Sequence, residues 1–401
     1  MTVPDHLPLA DMTVIAVEQY GAGPFGTMLL ADLGAQVIKI ENPADGGDVG
    51  RLVGPHYFGE GDSHFHQAFN RNKQSITLNL KHPRGMEVFR GLVAGADAVL
   101  DNLRGDLPEK LGLTYADLKA VNPAIVCAHL SAYGREGPRK AWPGYDYLMQ
   151  AEAGYLSVTG EPDGPPARFG VSIVDMMTGL MMGFALLGAV HGARRTGRGQ
   201  DVDVSLFDTA LHNLTYLAAW YLNAGHVQGR EPRSAHPSLT PSQLYRTGDG
   251  WLFIMCNKEK FWPLLAEALG HPEWATDPRL SSFKARLQNR ELVTELLDGA
   301  LAARTTDAWM AELGGRIPVA PVYDIGQALD NPFVRDHGRL GRFARREGGA
   351  PVDMLASPIR LGDGPVPQRA APEMGADTED VLTRLGYDAE TIAALRRDGA
   401  L

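Results

Sequence analysis

Cysteine is nearly absent: the 401 residues hold two, Cys127 and Cys256, each inside an apolar run (AIVCAHL and WLFIMCN). There is no CxxC pair and no paired Cys/His spacing, so neither a disulfide framework nor a zinc site is suggested, and no metal is expected. The two thiols read as buried, structural side chains. An excess of basic charge is missing too. The formal net charge is -10 with lysines and arginines scattered along the chain, whereas a nucleic-acid partner needs a concentrated basic face. The opening MTVPDHLPLADM carries Asp5 and Asp11 and no basic stretch before an apolar core, unlike a secretory or transit signal; a cytoplasmic location is expected. The most apolar stretch, 179–193, falls short of the roughly 20 residues that span a bilayer. It reads as a buried helix, with no membrane partner.

What is present is ordinary for a packed protein: 44% hydrophobic and 21% charged residues, in a chain long enough for two domains. Short β-branched runs alternate with helical segments. Residues 12–18, 35–41, 74–80, 97–102, 124–134 and 201–206 are strand-like; PFGTMLLADLG, RGMEVFRGLVAG and FDTALHNLTYLAAWYLNAG are helical. Strand-helix-strand order predicts an α/β fold with a parallel sheet wound by helices on both faces, and ligands at the carboxyl ends of its strands. A proline-bearing segment, 226–243, reads as a linker or crossing loop. A smaller α/β block follows, with WLFIMC strand-like and FWPLLAEALG and ELVTELLDGALAAR helical. Asp388 caps the last helix.

Three constellations carry chemistry. Gly21, Gly23 and Gly26 in GAGPFG lie between a strand and a helix, and the next strand ends on Glu41, which is the literal dinucleotide fingerprint. The same glycines serve a tight turn, with Pro24 at the first helical position. Asp175 enters the methionine-rich helix MMTGLMMGFALLGAV, where its plainest role is an N-cap; a carboxylate beside a buried helix start is also how a nucleophile is poised. Tyr145 and Asp146 in GYDY form a second polar spot; taken singly, such residues are more often part of a surface turn than catalysts. Basic residues follow several strand ends: Lys39, Arg71 and Lys73, Arg104 and Lys110, Arg139 and Lys140. Singly these are solvated surface charges; several together would suit a phosphorylated nucleotide.

The segments AGPFGTMLLADLGAQVIKIE, NRNKQSITLNLK, DNLRGDLPEKLGL, HLSAYGREGP, the Asp175 segment, TGRGQDVDVSLFD and YRTGDGWLFI together resemble the class III CoA-transferases and the related 2-methylacyl-CoA racemases. The similarity runs over nearly the whole chain. It implies a Rossmann-like large domain that binds coenzyme A where the glycine fingerprint would otherwise suggest a nicotinamide cofactor. The implied reaction moves coenzyme A from an acyl-CoA donor to a carboxylic acid acceptor, with coenzyme A as substrate and no permanently bound cofactor. Asp175 matches the family nucleophile, Asp146 a family acid, and Gln19 and Gly21 the turn nearest the reacting centre. Tyr145 stands where the racemases carry a proton-transferring histidine; a phenol, with an ordinary pKa of about 10, is poorly matched to that task, which favours transfer over racemisation. Asn42, Arg71, Lys73, Asn102, Leu103, Lys110 and Leu111 are implied contacts of the coenzyme.

The resemblance also implies an interlocked homodimer. Its large domain would comprise residues 1–210 with 331–401, and the small α/β domain 244–325. Residues 211–243 would be the outgoing linker and 326–370 the return linker. Two departures bear on substrate: formyl-CoA transferase has glutamine at the Gly21 position, and its run of glycines is replaced here by HPSLTPSQLYR. The oxalate and formate pair is therefore not expected. A Gly-Glu-His-Thr segment of the family reads Gly375, Ala376, Asp377, Thr378 in this chain.

Overall fold

A computed structural model describes residues 6–346, 348–362 and 366–401. Asp5, part of the N-terminal reading above, lies outside them. The chain forms two compact units, one of residues 1–153, 170–218 and 336–401, the other of 154–169 and 219–335.

The larger unit is built on six parallel strands: β1 (Thr13–Val17), β2 (Gln36–Glu41), β3 (Gln74–Thr77), β4 (Ala98–Asp101), β5 (Val126–Ser131) and β6 (Gln200–Ser205). Their order is β3-β2-β1-β4-β5-β6, with Ile15 opposite Ile38 on one side and Val99 on the other. Five lie within the predicted runs, and β6 begins one residue before its run at 201–206. The apolar character of the central strands follows from burial on both faces, since parallel sheets are covered by crossover helices, while the edge strand β6 alternates and is partly exposed. On one face, Phe89 and Leu92 of α2 (Pro83–Ala94) join Val381, Leu382, Ile392 and Leu395 from the C-terminal segment around Ile38, Ile76, Val99 and Cys127. Full burial of each such side chain contributes about 1.5–3 kcal/mol. Asp388 caps the last helix by accepting the Thr391 N–H at 2.8 Å, as expected.

The other face carries α1 (Ala22–Asp32) and α4 (Ile173–Thr196). Their contact is made by glycines. A Cβ on Gly26 would stand 2.6 Å from the Gly179 carbonyl oxygen, and one on Gly179 would stand 2.5 Å from that of Ala22. Two expectations change here. The apolar helix has 24 residues rather than the 15-residue core read from composition, so by length and hydropathy it would reach across a bilayer. Half of its apolar window is buried inside the protein. Pro24 is the third residue of α1 rather than the first, tolerated because first-turn amides have no intrahelical partner to lose. The helix read at 207–225 is broken into α5 (Leu206–Asn213) and α6 (Tyr216–Ala224), with Thr215 at φ +47° between them.

In the second unit, β7 (Ser242–Arg246), β8 (Trp251–Met255) and β9 (Val319–Pro321) form an antiparallel sheet in the order β9-β8-β7. Tyr245, Cys256, Trp262, Leu297 and Trp309 form its core with α7 (Phe261–Ala268) and α8 (Arg290–Leu301). Arg286 is buried there, donating to the carbonyls of Thr240 and Leu280 and to Glu259. Both cysteines are fully buried, and burial pushes the Cys256 thiol up to about 12. The result is an α/β protein with a large parallel-sheet unit and a smaller α/β unit.

Candidate active site

Strand order reverses between β1 and β4, and ligands of such sheets bind outside the carboxyl ends of the strands at that point. Two turns meet there. Asn102, following β4, accepts the Gln19 N–H at 2.9 Å and donates to the Gln19 carbonyl at 2.7 Å, fixing both sides of that residue. Tyr20 follows at φ +68°, a left-handed conformation uncommon for an aromatic residue. Its ring packs against Phe65 at 5.0 Å and Tyr145 at 6.1 Å. These turns line a cavity of about 250 Å³ with Leu103, Trp142, Tyr145 and Asp175.

Asp175 is in the first turn of α4, three residues past the capping position at Ser172, so it is not the N-cap expected from sequence. The helix start still favours its negative charge. The side chain is 6% exposed. Its own N–H donates to Asp146 Oδ2 at 3.0 Å, and Gln150 Nε2 donates to Asp146 Oδ1 at 2.5 Å. Burial first, and the Asp146 charge second, push the Asp175 carboxyl up to about 7. A group so placed is a neutral acid in part of the population and a poorly solvated carboxylate in the rest. Asp146 is the first residue of α3 (Asp146–Glu152), and Tyr145, before it, is 61% exposed.

The glycines of GAGPFG have packing reasons of their own. A Cβ on Gly21 would lie 2.6 Å from Asp175 Oδ2, and one on Gly23 would lie 2.9 Å from the Asn102 Cβ. Glu41, the acid of the dinucleotide fingerprint, is buried and held by Arg51 at 2.6 and 2.7 Å and by Ser75 at 2.6 Å. Burial would raise that carboxyl, but Arg51 and Lys39 outweigh it and hold it down at about 2. It is thus committed internally rather than offered to a ribose.

The same correction applies to several strand-end cations. Lys39, Arg71 and Lys73 are buried, not solvated. Arg71 is bound to Asp32 at 2.6 Å, and Lys73 to Glu18 at 2.7 Å, Pro24 O and Asn70. Neither presents a free charge to a coenzyme in this arrangement. Asn42 caps a short turn by accepting from Ala44 N–H. Lys110 and Leu111 line a separate shallow groove with Lys81, His82 and Arg90, where Lys110 pairs with Asp106 at 2.6 Å. The cavity therefore gathers Gln19, Gly21, Asn102, Leu103, Arg104, Tyr145 and Asp175 from the sequence-selected residues, with Asp146 directly behind. Tyr20 and Trp142 were not singled out: nothing local in the sequence marks a tyrosine as left-handed. Among the described residues no group of three or more His, Cys, Asp or Glu side chains is arranged to hold a metal ion.

One further ionic group spans the sheet. His129 Nδ1 is 2.6 Å from Asp101 and its Nε2 is 3.0 Å from Asp201, joining β4, β5 and β6. Burial would lower the imidazole, but the two carboxylates raise it to about 9.

The profile of CoA-transferase family III matches residues 9–378. An acyl-CoA transferase from Fusarium pseudograminearum is 35% identical, across 98% of this chain and 88% of its own. The succinate–glutarate CoA-transferase of Agrobacterium fabrum is 33% identical, across 94% of this chain and 96% of its own. A CAIB/BAIF family protein from Brucella suis has a crystal structure that superimposes with a TM-score of 0.82 at 33% identity, covering 94% of this chain and 99% of that one. With its sheet, its switch-point cavity and a match along almost its full length, the chain belongs to CoA-transferase family III and is an enzyme that moves coenzyme A between acyl donors and acceptors.

Proposed function

We propose that the transfer runs through a thioester between Asp175 and coenzyme A. The supporting observation is the setting of Asp175: a buried carboxyl held near neutrality, in a cavity at the switch point, with a glycine where any side chain would collide with it. The Asp175 carboxylate attacks the donor thioester carbonyl and expels CoA thiolate, giving a mixed anhydride. The thiolate attacks the aspartyl carbonyl and releases the donor acid. An acceptor carboxylate then attacks the enzyme thioester, expelling CoA thiolate again, and the thiolate attacks the acceptor's carbonyl. A new acyl-CoA leaves and the Asp175 carboxylate is restored. No hydrolysis energy is consumed, because one thioester replaces another, and exclusion of water protects the intermediates. The amides of Ala22 and Gly23 precede the first intrahelical bond, Phe25 N–H to Gly21 carbonyl, and are suited to stabilise the oxyanion of each tetrahedral intermediate.

Gln19, Asn102, Leu103 and Tyr145 would bind the reacting end of the acyl-CoA, with Asp146 holding the Asp175 backbone. Asn42, Lys110 and Leu111 would meet the nucleotide end. Dicarboxylic acids are the first acids to test, because the Agrobacterium relative is named for succinate and glutarate. The test is peptide mass spectrometry after incubation with succinyl-CoA and other acyl-CoAs and a hydroxylamine quench. A hydroxamate on Asp175 is expected. An unmodified Asp175 with a donor that turns over would overturn the mechanism, and α-proton exchange without transfer would favour a racemase.

An interlocked homodimer belongs to the same reading. Leu180 and Phe184 on α4 are 53% and 77% exposed in the single chain, an apolar face that a second copy would cover. A monomeric mass by light scattering at micromolar concentration would sink it.

A further inference from the structure

The turn that carries Tyr20 and Gly21 is held from beneath by an ion pair with no place in the transfer chemistry. Lys39 Nζ lies 2.8 Å from Asp48 Oδ2, and both side chains are buried. Each half also binds the turn's main chain. Lys39 donates to the Glu18 carbonyl at 2.9 Å, and Asp48 Oδ1 accepts the Tyr20 N–H at 2.9 Å. Asp48 is fixed in turn by its own N–H to Glu41 and by Gly50 N–H, and the Glu18 side chain by Thr27 and Lys73. The ion pair therefore grips the chain on both sides of Gln19, while Asn102 grips Gln19 itself. Tyr20 needs such over-determination, because a left-handed tyrosine persists only where its surroundings impose it.

We infer that Lys39 and Asp48 are positioning residues for transfer: their ion pair imposes the left-handed turn at Tyr20, which sets the Tyr20 ring and Gly21 against Asp175. This rests on Asp175 as the reacting group. Neither side chain lines the cavity, so loss of the pair acts through the geometry of the turn and lowers turnover more than coenzyme affinity.

The double variant Lys39→Met/Asp48→Asn removes both charges together and avoids leaving one buried and unpaired. Asp48→Glu keeps the charges, and with them the best chance of folding, but moves the carboxylate by one methylene. Both are measured with succinyl-CoA and glutarate, or with whichever donor and acid support wild-type turnover, alongside calorimetry with coenzyme A and a crystal structure. The expected result is a kcat about tenfold lower or more, a coenzyme A dissociation constant within about threefold of wild type, and Tyr20 outside the left-handed region. Unchanged kcat in a folded variant overturns the inference; so does a Tyr20 that stays left-handed, or affinity that falls in parallel with kcat. Should wild-type Asp175 carry no adduct, the thioester reading fails by itself, and the crystal structure still decides whether the ion pair imposes the turn.

Discussion

Asp146 accepts the backbone N–H of Asp175 through Oδ2 at 3.0 Å, so a second carboxylate is bonded to the main chain of the residue whose side chain faces the cavity. That bond fixes the first turn of α4. It also places a negative charge close enough to oppose ionisation of Asp175.

The pH dependence of transfer follows from that pair. An attacking carboxylate must be ionised, so kcat/KM should climb with pH through an acid limb near 7, the value to which burial and Asp146 raise Asp175. Asp146→Asn keeps an oxygen for the Asp175 N–H and removes the charge. The limb should move to lower pH, leaving the burial contribution in place. A limb that stays put, measured over pH 5 to 9, would show that Asp146 does not govern the ionisation.

Asp175 should also limit stability where it is needed for activity. Its folded pKa lies above the ordinary value, so the favourable contribution of the neutral form is complete below about pH 4 and is lost as pH rises through about 7. Asp175→Asn escapes that loss. It should abolish transfer, retain coenzyme A binding, and melt higher than wild type at pH 8, with the gain shrinking toward pH 4. The gain is on the order of a few kcal/mol at most. Equal melting temperatures at pH 8 would argue that Asp175 is better solvated than its burial implies.

Gly21→Ala tests how closely the turn approaches the carboxylate. The added methyl would meet Asp175 Oδ2 at 2.6 Å, so the carboxylate must rotate or the turn must shift. Because Gly21 has a negative φ, alanine adds no backbone strain there. Turnover should fall at least about tenfold with little change in melting temperature, as expected for misplacement of a reacting group. A fully active Gly21→Ala would mean that the Asp175 carboxylate rotates freely away from the added methyl.

Much of the sheet was legible because buried parallel strands are apolar runs, and each of β1 to β5 fell within its predicted run, while the alternating β6 began one residue early. Asp175 was legible as a candidate but not in its setting: a helix start shifts by two or three positions without any change in composition, and Ser172 occupies the cap position. The cations misled. Arg71 pairs with Asp32 and Lys73 with Glu18 over separations of 39 and 55 residues, which no local pattern encodes. The departure at Gly375–Thr378 also becomes intelligible only in three dimensions. Asp377 accepts from Ser75 N–H at 2.9 Å and from Arg346 at 2.6 Å, and Thr378 Oγ1 accepts from Thr77 N–H at 3.0 Å, so this segment seals the β3 edge of the sheet.

His129 offers the last test, on the far side of the switch point. Asp101 and Asp201 hold its imidazole at about 9, above the ordinary 6.5. A raised folded pKa gives stability that is complete below about 6.5 and is lost as pH rises through about 9, so the ion pairs should support the fold at neutral pH and fade in alkali. His129→Gln keeps a hydrogen-bond donor but no charge, and it leaves Asp101 buried without its cation. The variant should melt below wild type at pH 6, with the deficit narrowing toward pH 10. Because Asp101 also accepts the Leu103 N–H at 3.3 Å, loss of His129 should loosen the turn that carries Asn102 and Leu103, weakening coenzyme A binding by several-fold. A deficit independent of pH would mean that the imidazole is neutral in the folded protein and that its role is packing alone.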